Sequence, residues 1–187
     1  MVSLASLWLP VLLSAILVFF ASFVAWVVLP HHRRDFRVLP DQDALLAQMR
    51  ARDLTPGMYA LPHTHDRKEV ETEAFKEKVR AGPAGFLYLR DPARHLAMGI
   101  PLTQAFVHYL VLGVFVAYIG YVTLPAGTEY LTVFRVTGTA ALLGHCGALI
   151  PRSVFFGFSW STTWKEVADG IVYALLTAGV FAWLWPG

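Results

Sequence analysis

Apolar and polar positions divide the chain into four apolar runs, one long polar segment and two short breaks. Residues 4–28 carry no charged side chain, and Leu4–Val28 is long enough to cross a bilayer as a helix. This run is too long for a signal-peptide core, lacks Lys or Arg before it and has no small-x-small cleavage site. It is therefore expected to stay as a first span. Trp8 and Trp26 are 18 residues apart, about 27 Å at helical rise, which matches the two interfacial belts of a membrane.

The last third of the chain holds the other three runs, with spans expected at about 101–123, 131–150 and 165–185. Leu124–Tyr130 reads as a tight loop, which makes spans two and three an antiparallel hairpin. The third span, Leu131–Ile150, has small residues at four-residue spacing: Ala140, Gly144 and Ala148, with Gly138 nearby. Lipid tails are as apolar as leucine, so helices in a membrane gain mainly from close backbone approach, which such spacing permits. That pattern marks the third span as the expected centre of a bundle. Residues 151–164 carry five aromatics, including Trp160 and Trp164, and read as an interfacial loop. Thr163 and Glu166 form a capping box that would open the fourth span, which ends near Trp183 and Trp185.

Between the first two spans, residues 31–100 alternate in short patterns. Asp41 can cap a helix reaching about Arg52, and Met58–Leu61 and Phe86–Arg90 have strand character. Glu69–Arg80 is amphipathic, and Asp91-Pro92 is a good opening for a short interfacial helix, Pro92–Met98. The expected fold class is an all-α membrane bundle of four transmembrane helices with a small α+β insertion. Its divisions are 1–30, 31–100 and 101–187.

Charge then sets the orientation. Of 187 residues only 15% are charged, and residues 31–100 hold 12 of the 15 Lys and Arg. The run His31–Arg37, with Arg33 and Arg34, follows the first span directly. By the positive-inside rule the insertion is expected to be cytoplasmic, in a bacterial-type inner membrane, with both termini outside. Only Arg135 lies toward the outside, where it can snorkel to head groups and pair with Glu129. A net charge of +2 with acidic residues interleaved among the basic ones gives no case for nucleic acid. One cysteine, Cys146, excludes an internal disulfide and any cysteine-based metal cage.

Candidate chemistry lies in the few ionisable residues within the spans. His108 and His145 fall at similar depth, about 7–11 Å from the same end, with Asp169 and Tyr173 near them on the fourth span. Two imidazoles could hold a haem or a pigment, and with Asp169 they could hold a transition metal. They could also pass protons. His31-His32 and His63-Thr64-His65-Asp66 suggest ligands too, but the first pair sits in a basic run and nothing fixes a third ligand for the second, so both are expected to be solvated. The chain shows no phosphate loop, dinucleotide fingerprint, nucleophile elbow or H-E-x-x-H. The leading expectation is thus a non-catalytic accessory or scaffolding subunit of a membrane assembly, bound to lipids and to other subunits or itself. The alternatives are a haem-, pigment- or metal-binding redox protein using His108 and His145, and a small oligomeric transporter or channel.

Overall fold

The computed structural model describes residues 2–187. Four helical stretches are long and apolar enough to cross a membrane: Leu4–Val28, Gly99–Thr123, Tyr130–Phe156 and Trp160–Trp183. The first comprises a 3-10 turn, helix α1 (Trp8–Phe23) and a π-turn over Val24–Val28, closed where the Leu29 amide donates to the Val24 carbonyl at 2.9 Å. The second is α6 (Gly99–Thr123). The third breaks at Gly147-Ala148 into α7 (Tyr130–Cys146) and α8 (Leu149–Phe156), and the fourth is α9 (Trp160–Trp183).

These helices form a closed ring. α1 packs on α6 and α9, and α7 packs on α6 and α9, so the first span adjoins the last. Contacts at matching depths make every neighbouring pair antiparallel. Gly113 of α6 meets Val11 of α1, and Gly138 of α7 approaches the Ala178 methyl of α9. At one end the C-terminal residues tie down the α6–α7 loop: the Trp185 indole donates to the Pro125 carbonyl at 3.0 Å, and the Gly127 amide donates to that of Pro186 at 2.9 Å. The apolar core lies toward this end, around Leu7, Val116, Ala117, Val133 and Phe181.

The third span is not the centre of the bundle. α9 buries nine residues, among them Gly170, Tyr173, Ala174, Thr177, Ala178 and Phe181, whereas α7 buries Val133, Thr137 and Ala141. Small residues permit close approach, but they do not fix which helix lies between others. Small residues of α9 also meet α7: a Cβ on Gly170 would meet Cys146, and Ala178 lies against Gly138. Gly144 faces the Leu112 side chain, Ala140 is half-buried, and Ala148 is exposed in the break before α8.

The fourth span begins earlier than its capping box suggests. Residues 151–164 are helix except for Gly157-Phe158-Ser159, where Gly157 takes φ +68° and turns the chain. Thr163 does not cap; its hydroxyl donates to the Ser159 carbonyl at 3.1 Å and bonds the buried Ser153 hydroxyl. A threonine one turn into a helix can bond back to the i−4 carbonyl, and the buried Ser153 gives it a reason to remain helical.

The insertion contains α2 (Gln42–Arg50), β1 (Gly57–Leu61), α3 (Arg67–Val70), α4 (Glu73–Ala81), β2 (Gly85–Leu89) and α5 (Pro92–Leu96). β1 and β2 pair antiparallel with Tyr59 opposite Leu87. The expected helix over 69–80 is split, because Thr72 caps α4 by accepting from the Phe75 amide and Asp66 caps α3. Asp91 caps α5 as its spacing suggests, accepting from the Ala93 amide at 2.9 Å. Asp41 precedes α2 but its side chain makes no cap, because its backbone is left-handed at φ +46°. Phe86 packs on Phe156 and Tyr88 on Phe158, so the hairpin rests against the α8 end of the ring.

Candidate functional site

At the end of the ring opposite Trp185, the chain leaves the π-turn through Leu29-Pro30 and makes a 3-10 turn over Pro30–His32. Proline presets φ for that turn, and the π-turn before it carries Trp26, which stays half-exposed. Trp26 stacks on the His32 imidazole with ring centroids 3.9 Å apart and planes 2° apart. The turn presses His31, His32 and Asp35 against Lys165 and Asp169, which lie one helical turn apart on a single face of α9.

These five residues form one network. Lys165 Nζ donates to Asp35 Oδ1 at 2.5 Å and to the His31 carbonyl at 2.7 Å. His32 Nδ1 lies 2.5 Å from Asp35 Oδ2, and His32 Nε2 lies 2.8 Å from Asp169 Oδ2. His31 Nε2 approaches Asp169 Oδ1 at 3.2 Å. The His32 and Asp35 side chains are each only 3% exposed. Burial pulls the His32 pKa down, but hydrogen bonds to Asp169 and Asp35 and the charges of both carboxylates outweigh it and hold the pKa above 6.5. Burial likewise pushes Asp35 up, and the hydrogen bonds and charges of Lys165 and His32 outweigh it and set its pKa below 3.8.

Charge accounting defines what the network can do. Lys165 neutralises Asp35. Asp169 is left facing two imidazoles. If His32 donates from Nδ1 to Asp35, its Nε2 lone pair points at a carboxylate oxygen, and something positive must lie between them. That can be a proton, giving an imidazolium, or a cation. One ring nitrogen each of His31 and His32 and an Asp169 oxygen all lie within 4.8 Å of one another. Ligand atoms about 2.1 Å from one ion, at angles of about 90–110°, lie roughly 3.0–3.4 Å apart, so small side-chain motions would close the set. No family model, curated protein or solved structure matches this chain. The site must be read from its own geometry.

The expected ligands are only partly brought together. Among the described residues, the group that converges with metal spacing contains Asp169 but neither His108 nor His145. His108 is exposed on α6 and His145 half-buried on α7. Both line a cavity of about 190 Å³ with Trp26, Tyr109, Asp169 and Tyr173. Depth along a helix was readable, but rotation about its axis was not, and rotation decides convergence. Two more expectations place differently. Trp26 stacks on His32, and Glu129 is absent from the ion pairs of the described residues, as is Arg135. Trp8, Trp160, Trp164 and Trp183 are exposed on the ring, and Arg33 and Arg34 are exposed beside the network. His63 and His65 meet edge to face at 4.9 Å, while Asp66 is engaged as a helix cap, so that cluster gathers no third ligand.

His31, His32 and Asp35 were the residues that sequence reasoning missed as a site. One signal was present: Lys165, Asp169, Tyr173 and Thr177 recur every four residues on one span. Such a stripe needs polar partners, and the turn after the first span supplies them.

Proposed function

We propose that this chain is an integral membrane metalloprotein that holds a divalent first-row transition metal through His31, His32 and Asp169. The observation that carries this reading is the convergence of two imidazoles on one carboxylate, with a second carboxylate, Asp35, behind His32. Imidazole and carboxylate together favour iron, zinc, manganese or copper over calcium or magnesium, which prefer oxygen alone. A buried carboxylate accepting from the far nitrogen of a ligating histidine fixes its tautomer and strengthens it as a ligand. Two histidines and one carboxylate leave coordination positions open, as suits a metal that binds or reduces a small molecule. The clustering of basic residues in 31–100, with Arg152 and Lys165 at the same end, supports a cytoplasmic insertion in a bacterial-type inner membrane.

The test is metal content. Full-length protein in mild detergent, stripped with chelator and reloaded, should retain an equimolar transition metal through gel filtration. His32→Ala and Asp169→Asn should lose it, and His65→Ala should keep it. Wild type that retains none of zinc, iron(II), manganese, cobalt, nickel or copper would overturn the reading and leave an ion-pair network joining α1 to α9.

A second reading, an accessory subunit of a membrane assembly, is favoured by the insertion itself. None of residues 36–100 is buried. A two-stranded hairpin is marginal without a further surface to cover it. The native mass of the complex released by mild detergent checks this: other chains in fixed ratio support it, and a lone chain refutes it.

A further inference from the structure

The insertion meets the second span around a cavity of about 560 Å³ that the metal site does not use. Sites for small ligands typically enclose about 300–1,000 Å³. One wall is the open end of the hairpin, where Pro56 precedes β1 and Leu89 closes β2 opposite Gly57. The next is Arg90, Asp91 and Arg94. Asp91 caps α5 through the Ala93 amide, with Arg90 just before the cap and Arg94 in the short helix it opens. The floor is the start of α6, with Ile100 and Gln104.

The charge of these walls is unbalanced. Both arginines are exposed, and neither enters an ion pair among the described residues. With Asp91 counted against Arg90 and Arg94, the lining carries one net positive charge. The Asp91 carboxylate is already in use as a cap, and α6 opens without a side-chain cap, so its positive end adds to the same sign. A guanidinium matches phosphate in geometry as well as charge, through two parallel N–H bonds.

The surroundings are apolar, which narrows the anion further. Leu96, Met98 and Leu102 are exposed beside the arginines. α6 is long and apolar enough to cross a membrane, and Gln104 lies about 7.5 Å from its start at helical rise. The cavity therefore stands where charge gives way to a spanning segment, the level of lipid head groups. From Gln104 the face continues through Val107, Val111 and Val114, at three- and four-residue spacing, and all three valines are exposed. That track suits an acyl chain, whereas a free phosphate would make no use of it.

We infer that this cavity binds the phosphodiester of an anionic phospholipid. Arg90 and Arg94 donate to the phosphate oxygens, Gln104 donates to the glycerol or ester oxygens, and an acyl chain follows Val107, Val111 and Val114. Basic pockets beside spanning helices recognise anionic head groups in this way. The inference rests on α6 as a span and not on the metal.

The experiment uses the full chain in neutral detergent, titrated with dioleoyl-phosphatidylglycerol and followed by native mass spectrometry, which counts bound lipids. Wild type should bind one lipid more tightly than any that follow. Arg90→Gln and Arg94→Gln should each weaken that first lipid at least about tenfold, the loss expected for a hydrogen bond to a charged group. Gln104→Glu, which adds a carboxylate to the opposite wall, should weaken it too, and Arg67→Gln should not. Melting temperatures should be unchanged. The variants lie on two separate elements, so misfolding of one leaves the others informative. Dioleoyl-phosphatidylcholine, whose amine cancels the phosphate charge, should bind about fivefold or more weakly, the worth of one charge near a membrane surface. Phosphatidylglycerol bound equally well by both arginine variants, or no better than phosphatidylcholine, would overturn the inference. Inorganic phosphate that displaces the first lipid at millimolar concentration would also overturn it, because the occupant would then be a soluble phosphate.

Discussion

Replacing Asp35 by Asn changes one charge and almost no volume, at a side chain 3% exposed. The carboxylate accepts from Lys165 and from His32, both at 2.5 Å. An asparagine keeps one oxygen, but its amide nitrogen then faces one of two donors. Hydrogen bonds to charged groups contribute about 1.5–3 kcal/mol each. Removing one partner of a buried pair costs about 3–5 kcal/mol, because the survivor stays buried and uncompensated. For a chain of this size each kcal/mol shifts the melting temperature by roughly 2–4 °C, so a fall of roughly 6–20 °C is expected. If His32 is a metal ligand, loss of its carboxylate partner should also weaken metal affinity about 10–100-fold. Thermal unfolding by tryptophan fluorescence and competition against a chelator of known affinity measure the two effects. Glu73→Gln is the control: it removes two ion pairs of a residue 70% exposed and should cost under about 1 kcal/mol. If Asp35→Asn melts and binds metal like Glu73→Gln, Asp35 is no part of a buried site.

Three further expectations follow from the same geometry. Gly170→Ala should destabilise by about 1–3 kcal/mol as the new methyl meets the Cys146 sulfur, and Cys146→Ala in the same chain should restore much of the loss in a melting assay. Thr163→Val should cost about 1–3 kcal/mol, because the buried Ser153 hydroxyl loses the partner it bonds; an unchanged melting temperature would refute that pairing. In metal-free protein, the His32 contribution is complete below pH 6.5 and lost as pH rises through its raised folded-state pKa. The Asp35 contribution is complete above pH 3.8 and lost as pH falls through its depressed one. Metal-free stability should therefore be greatest between these values and fall on the alkaline side, and His32→Gln should flatten that fall in melts taken across the range.

The four spans were legible because length and apolarity suffice to find a helix that can cross a membrane, and the Asp91 cap because a cap is local. That α9, and not α7, buries the most residues was not. It depends on which way Tyr173, Thr177 and Phe181 turn, and on a helix apolar enough to cross a membrane the outward face is no more polar than the inward one. The site was hidden for a second reason. His31 and His32 stand in a basic run whose role in orientation explains them fully on its own, and their partner Asp169 lies 138 and 137 residues away. Asp169 itself was legible as a candidate, since a carboxylate near a span end demands an explanation wherever its helix points.

Because the ring closes first span on last, the order of synthesis matters. His31, His32 and Asp35 emerge early, and Lys165 and Asp169 arrive only with the final helix. A chain halted after α7 would expose the buried turn with one carboxylate and no lysine, and could assemble neither the network nor the ligand set. On the metal reading, loading of the site would report that the whole chain has been made, and a chain without α9 would lack the ion pairs that join the His31–Asp35 turn to that helix. A quality-control protease could distinguish the two states by access to the Pro30–Asp35 turn alone.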